Sequence, residues 1–263
     1  SLDKYMDLDR TLWFLASEIA FSDDDSYVYK GKMDYYLYWD EETGRMTPLE
    51  FDGNSAMKTN ATNWNPFYNV NNANYPLMNR LFAVPRLRQR YLAHLRTIIN
   101  EKMQSSTFNA LVDGYATLID AEVQADPKKL YTYNAFLTEL NTLKTYMTNR
   151  RNYLTANTEV AQVAPVISAV SHRVNGTEWA APPPSQEVAV TATIGSGAAR
   201  ADLYYSHGIY GRFTPVQLFD DGAHGDGASG DGVFGGSIPA APAMTRVRYY
   251  VMATAGNTAQ SGS

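Results

Sequence analysis

Tyr35-Tyr36-Leu37-Tyr38-Trp39, followed by Asp40-Glu41-Glu42-Thr43-Gly44 and the return Arg45-Met46-Thr47-Pro48-Leu49-Glu50-Phe51, decides how the first half of this 263-residue chain is read. Across residues 32–39, Met33, Tyr35, Leu37 and Trp39 share one parity while Asp34, Tyr36 and Tyr38 share the other. That alternation predicts a strand with two chemically different faces. Residues 40–44 supply the turn and residues 45–51 come back as the second arm of a hairpin. Acid brackets it, with Asp23-Asp24-Asp25 before the first arm and Glu50-Phe51-Asp52 closing the second. Pleated alternation carries Asp52 to the end of the returning arm, near the loop that precedes the first, so carboxylates distant in sequence meet at one edge of a small sheet.

Outward from the hairpin, two kinds of sequence separate. Residues 8–19 place Leu8, Leu12, Leu15, Ala16 and Ile19 at helical spacing. Residues 54–79 are Asn-rich and loop-like, too long for a plain connection and expected to be a packed or functional surface loop. Three helices are expected next: 86–104, with Leu87, Tyr91, Leu95 and Ile98 on one stripe; 107–125, after a Ser105-Ser106 cap; and 129–154, after Asp126-Pro127 as N-cap and first helical residue. Helical periodicity stops at Asn157 and proline punctuation begins at Pro165. Beyond it, short alternating runs at 167–172, 187–194, 201–205, 215–219 and 245–254, with Gly and Pro turns, predict a β-sandwich in which Val247, Tyr249 and Val251 mark one buried face. The expected organisation is a domain over 1–157, a linker over 158–164 and a second domain over 165–263.

A net charge of -5 with scattered Lys and Arg argues against a nucleic-acid partner. No apolar run approaches the roughly 18 residues that span a bilayer, and no charged-then-apolar leader opens the chain. The first residue is Ser1 rather than methionine, which suggests a processed or cloned fragment. With no cysteine there is no disulfide, thiolate metal site or cysteine nucleophile. His94 falls in a helical pattern and is expected at a surface or cap, and His172, His207 and His224 lack the paired spacing of a zinc site.

Magnesium takes carboxylate oxygens together with water and substrate phosphate, so two or three acids on loops at a sheet edge suit phosphoryl transfer. Asp25, Asp34, Glu50 and Asp52 meet that description, and so does a plain set of solvated turn acids. A second acidic stretch, residues 219–234, sets Asp220, Asp221, Asp226 and Asp231 among glycines. Four such carboxylates suit calcium, and equally a tight double turn whose Asp side chains bond their own backbone. The spacing is not that of an EF-hand.

Asp7-Leu8-Asp9, Asp24-Asp25-Ser26-Tyr27, Asp34-Tyr35-Tyr36-Leu37-Tyr38, Thr43-Gly44-Arg45 and Pro48-Leu49-Glu50-Phe51-Asp52-Gly53, in that order, resemble the C-terminal lobe of the spore coat protein H (CotH) kinase family. The resemblance covers roughly residues 1–157, including the helix-rich tail. It implies an atypical kinase-like fold, a helix bundle with a β-hairpin, and ATP-dependent transfer to protein Ser or Thr with magnesium. On it, Asp25 matches the catalytic aspartate, and Asp52 matches the magnesium-holding aspartate that ends a Pro-Trp-Asp-x-Asp motif. Asp34 stands where the family has asparagine, and Leu49-Glu50 replace the motif's Trp-Asp. The family's phosphate-covering loop and ATP-pairing lysine find no counterpart in residues 1–263, so the chain alone is expected to bind nucleotide poorly and to be inactive. Residues 219–234, with Ile238-Pro239-Ala240 and residues 247–251, resemble immunoglobulin-like or fibronectin-III-like modules of bacterial secreted proteins. The overall expectation is an α+β chain, a kinase-like C-lobe plus an all-β immunoglobulin-like sandwich, secreted or on a bacterial cell surface. Its partner is either a protein bearing a Ser or Thr hydroxyl or, for a catalytically silent binding module, an extracellular surface component.

Overall fold

The computed structural model describes residues 2–31, 33–209, 211–255 and 258–262, so Lys32, at the start of the expected first arm, lies outside the described residues. Asp7 opens the first helix: its backbone is extended and its Oδ1 accepts the Arg10 N–H at 3.2 Å, satisfying a donor that has no partner inside the helix. The helix, α1 (Leu8–Phe21), buries Leu12, Leu15, Ala16 and Ile19, and is followed by the single turn α2 (Tyr27–Lys30).

β1 (Tyr35–Asp40) and β2 (Arg45–Glu50) form the antiparallel hairpin, with Tyr35 opposite Glu50 and Asp40 opposite Arg45. The Asp40 carboxylate closes the turn by accepting the Glu42 N–H and the Thr43 hydroxyl. The contrast between faces is weaker than alternation predicts, because Tyr36, Leu37, Tyr38 and Trp39 are all exposed. The reason is anchorage through the other arm. β2 is held by backbone bonds from Asp7 N–H to the Met46 carbonyl and from Met46 N–H to the Tyr5 carbonyl, which leaves β1 on the outside.

Residues 54–79 are packed rather than trailing: Ala61, Trp64, Phe67 and Met78 are buried, and α3 (Pro76–Phe82) begins inside the stretch at a proline. α4 (Pro85–Glu101) lies along α1, and α5 (Ser105–Ala125) and α6 (Tyr133–Thr155) form an antiparallel helical hairpin. Both expected caps shift. Gln104, with no side-chain cap bond, precedes α5, and Ser105 is already its first residue. Asp126 ends α5 and turns the chain by accepting the Lys128 N–H, so the cap of α6 is Thr132, whose hydroxyl accepts the Ala135 N–H. α5 buries Phe108 and Val112 near its start, and α6 buries Tyr146, Met147, Arg150 and Leu154 near its end, so the hairpin is rooted in the core at one end only. Arg150 is fully buried and donates to the carbonyls of Ile19, Ala20, Thr62 and Trp64, tying α6 to the end of α1.

The second part contains β3 (Ile167–Val174), β4 (Thr177–Glu178), β5 (Val188–Ile194), β6 (Arg200–His207), β7 (Thr214–Leu218), β8 (Val233–Ile238), β9 (Val247–Ala255) and β10 (Thr258–Gly262). Two antiparallel sheets, ordered β4-β3-β5-β8 and β10-β9-β6-β7, share a core of Val188, Val190, Ile194, Leu203, Leu218 and Val251. This is a sandwich, and the whole chain is α+β. Sequence reading passed over β8, whose centre is Gly235-Gly236. A Cβ on Gly235 would lie 2.3 Å from the His224 carbonyl, and one on Gly236 would lie 2.7 Å from the Leu218 side chain, so glycine is what lets the acidic loop and β7 cross this strand.

The outer face of β6 and β9 is buried against α4, where Ala93, Tyr204 and Met252 form a small core. β9 therefore has two buried faces, not the single one its alternation predicts. At this junction one oxygen, Asp9 Oδ1, accepts from Arg90 at 2.5 Å, the Tyr250 hydroxyl at 2.8 Å and His94 Nε2 at 3.1 Å. His94 is thus buried against an aspartate and stacked on Trp13, not at the surface. Burial lowers its pKa, against the Asp9 hydrogen bond and charge, which act to raise it. Burial would raise the Asp9 carboxyl, but the His94 hydrogen bond and charge, the Arg90 charge and the Tyr250 hydroxyl outweigh it and bring it to about 2. The segment between the two parts is held as well: Glu159 pairs with Arg88 at 2.5 Å, and Arg96 donates to the carbonyls of Glu159 and Val160. Among the described residues no helix is long and apolar enough to cross a membrane.

Candidate functional site

The carboxyl end of α1 builds the acidic loop. Ser22 takes a left-handed conformation (φ 51°), its N–H bonding back to the Glu18 and Ile19 carbonyls, and this reverses the chain. Asp23 then folds the next residues around itself: its Oδ1 accepts the Asp25 N–H at 3.0 Å, and its carbonyl accepts the Ser26 hydroxyl at 2.6 Å. The packed stretch after the hairpin pins the following turn from outside. Asn69 donates to the Val28 carbonyl at 2.9 Å, the Tyr75 hydroxyl to the Tyr29 carbonyl at 2.5 Å, and the Leu77 N–H to the Tyr27 hydroxyl at 2.9 Å.

The four acids singled out for magnesium and catalysis fall into two pairs. Asp25 and Asp34 share a cation, Lys30, which bonds Asp25 Oδ1 and lies 2.8 Å from Asp34 Oδ2. Asp34, at φ 63°, is in the left-handed region. Its extra charge relative to asparagine is therefore balanced locally. Asp24 is paired with Lys58 at 2.7 Å. Glu50 and Asp52 lie across the loop on a cavity of about 320 Å³ lined also by Glu18, Phe21 and Asp23. Asp52 accepts from the Asn54 backbone at 3.4 Å and its side-chain amide at 3.1 Å. Among the described residues no three His, Cys, Asp or Glu side chains are grouped to hold a metal ion. Magnesium does not require such a cage, since one or two carboxylates with substrate phosphate and water suffice, and the hard oxygen donors of Glu50 and Asp52 fit that pattern.

Asp23 stands between the pairs: burial raises its carboxyl, and the charges of Asp25, Asp24 and Asp52 add to the effect. The Lys30 hydrogen bond holds Asp25 below the usual carboxylate range, and the same contact, with that to Asp34, raises Lys30.

Sequence reading missed Glu18. It is buried, its Oε2 accepts the Val28 N–H at 3.3 Å, and burial, then the charges of Asp23 and Glu50, push its pKa up to about 9. The available signal was an acid three residues after Leu15, on the apolar stripe of α1. Lys30 and Lys58 were missed too; only the spacing of Lys30, four before Asp34, hinted at a pair.

In the second acidic stretch, Asp226 accepts the N–H groups of Asp221, Gly222 and His224, at 2.7, 2.8 and 2.9 Å. Asp220 accepts those of Gly230 and Gly232, and Asp231 those of Ala228 and Val233. Asp221 accepts from Ala223 N–H and the His224 ring, the His224 bond leading in lowering its pKa. All four carboxylates therefore serve the loop's own backbone.

No curated protein matches the chain. The family model described as CotH kinase protein matches residues 1–154, which takes in α1, the acidic loop, the hairpin and nearly all of the helices up to the end of α6. On that match, over more than half of its length, the chain belongs to the CotH kinase protein family.

Proposed function

We propose that this chain is the acid-bearing lobe of a secreted or cell-surface bacterial protein kinase that transfers phosphate from ATP to a Ser or Thr hydroxyl of a protein substrate. The observation that supports it is that separate elements, the loop after α1 and the exit of the hairpin, bring Asp25 and Asp52 each close to the buried Asp23. In this reading Asp25 orients the attacking hydroxyl and takes its proton, while Asp52 and Glu50 hold magnesium, with Asp34 in reserve behind Lys30. Magnesium, when bound, neutralises the β- and γ-phosphate oxygens. The sandwich is read as an immunoglobulin-like module.

A second reading, a non-catalytic binding module on an extracellular surface, draws on the exposed row Tyr36, Leu37, Tyr38 and Trp39, since aromatic patches of this kind mark contact surfaces. One measurement separates the two. Magnesium–ATP binding to the full chain is followed by ³¹P NMR at millimolar ligand, with Asp52→Ala as control. The kinase reading requires wild-type binding that the substitution removes. Equal behaviour of the two proteins would discard the metal assignment.

A further inference from the structure

We infer that Lys30 is a catalytic residue, the cation on the acidic loop that contacts the transferred phosphoryl group; the inference rests on the kinase reading above. Three observations point to it. First, phosphoryl transfer spreads negative charge over the equatorial oxygens, and catalysis consists largely of positioned positive charge facing them. Around Asp25 the loop is acidic, with Asp23, Asp24 and Asp34 close by. Among the described residues Lys58 is held by Asp24, so Lys30 is the ammonium that bonds the Asp25 carboxylate itself.

Second, the position of Lys30 is built. Its N–H bonds the Ser26 carbonyl at 2.8 Å as the last residue of α2. The next residue, Gly31, has φ 73°, and a Cβ there would meet the Tyr75 ring at 2.7 Å. Only glycine allows that ring to close over the backbone, and the ring's hydroxyl is bonded to the Tyr29 carbonyl. The stem of Lys30 is thus fixed at its root while its side chain as a whole remains about one-third exposed, at 36 %.

Third, Lys30 occupies only one oxygen of Asp25. Asp34 is the other side chain in contact with this carboxylate, and the proposed step gives Asp25 the hydroxyl proton. The step balances as follows: the substrate hydroxyl oxygen forms a bond to the γ-phosphorus, and the bond from that phosphorus to the bridging oxygen breaks. ADP leaves with the electron pair, and the hydroxyl proton passes to Asp25 Oδ2. Lys30 keeps its proton throughout, exchanging part of its contact with Asp25 and Asp34 for a γ-phosphate oxygen.

The test titrates the full chain, as wild type, Lys30→Ala, Lys30→Arg and Asp52→Ala, with magnesium–ATP and separately with AMP, following ³¹P shifts. The expected result is a loss of roughly tenfold or more in magnesium–ATP affinity for Lys30→Ala, as for a lost charge-assisted hydrogen bond. AMP binding stays unchanged, Lys30→Arg recovers most of the loss, and melting temperatures match. If Asp52→Ala abolishes ATP binding while Lys30→Ala leaves it unchanged, or weakens AMP equally, Lys30 does not touch the γ-phosphate and the inference falls while the kinase reading stands. If wild type binds no magnesium–ATP, both fall together.

Discussion

Glu18→Gln should stabilise this protein at neutral pH, and the gain should vanish in acid. In the folded chain the Glu18 carboxyl is buried beside Asp23 and Glu50 and titrates at about 9, against an ordinary value of 4.5. Between those values the folded state binds one more proton than the unfolded state, so stability falls as pH rises. The sign is that of any group with a raised folded pKa: its contribution is complete below 4.5 and is lost as pH climbs through 9. At about 1.4 kcal/mol per pH unit, the loss is on the order of 3 kcal/mol by pH 7 and about 6 kcal/mol above pH 9. Glutamine keeps an acceptor for the Val28 N–H and cannot ionise. Urea midpoints for both proteins from pH 4 to pH 9 test this. The curves should coincide near pH 4 to within about 1 kcal/mol and separate steadily above pH 5, with the Gln variant more stable by about 3 kcal/mol at pH 7. Parallel curves, or a Gln variant less stable at every pH, would refute a neutral Glu18.

Asp9→Asn leaves Arg90 buried without its counterion and should cost about 3 to 5 kcal/mol by urea unfolding, whereas Tyr250→Phe, which loses a hydroxyl, should cost about 1 kcal/mol. Because the Asp9 carboxyl is depressed to about 2, its contribution is present above its ordinary value of 3.8 and is lost as pH falls toward 2; the Asn variant should lack that acid limb. In the 219–234 loop, Asp226→Ala frees three backbone amides and should lower the calorimetric melting temperature by several degrees, while millimolar calcium should leave the wild-type melting temperature where it is.

Local signals in the sequence carried far. The hairpin was legible because alternation and an Asp-to-Gly turn are short-range features, and α1 was legible because its apolar stripe repeats within one short stretch. Features that depend on distant partners were not. His94 reads as an ordinary helix residue until Asp9 and Tyr250, from opposite ends of the chain, close on it. β9 reads as one-faced until α4 covers its other side, and β8 is obscured by the two glycines that let it be crossed. Within the candidate site the acids could be named, but their division into two pairs depended on Lys30 and on the fold of residues 54–79, whose Asn-rich composition hid a packed structure.

The two ends of α1 have different employers. Its amino end is gripped by the sandwich through Asp9, and its carboxyl end begins the acidic loop at Ser22. Fourteen residues of helix separate them, a rod of roughly 21 Å at 1.5 Å per residue. That rod acts as a ruler. A molecule held on a surface by its sandwich would present the acidic loops at a set stand-off, and the fold itself would choose how far from its anchor the protein can work.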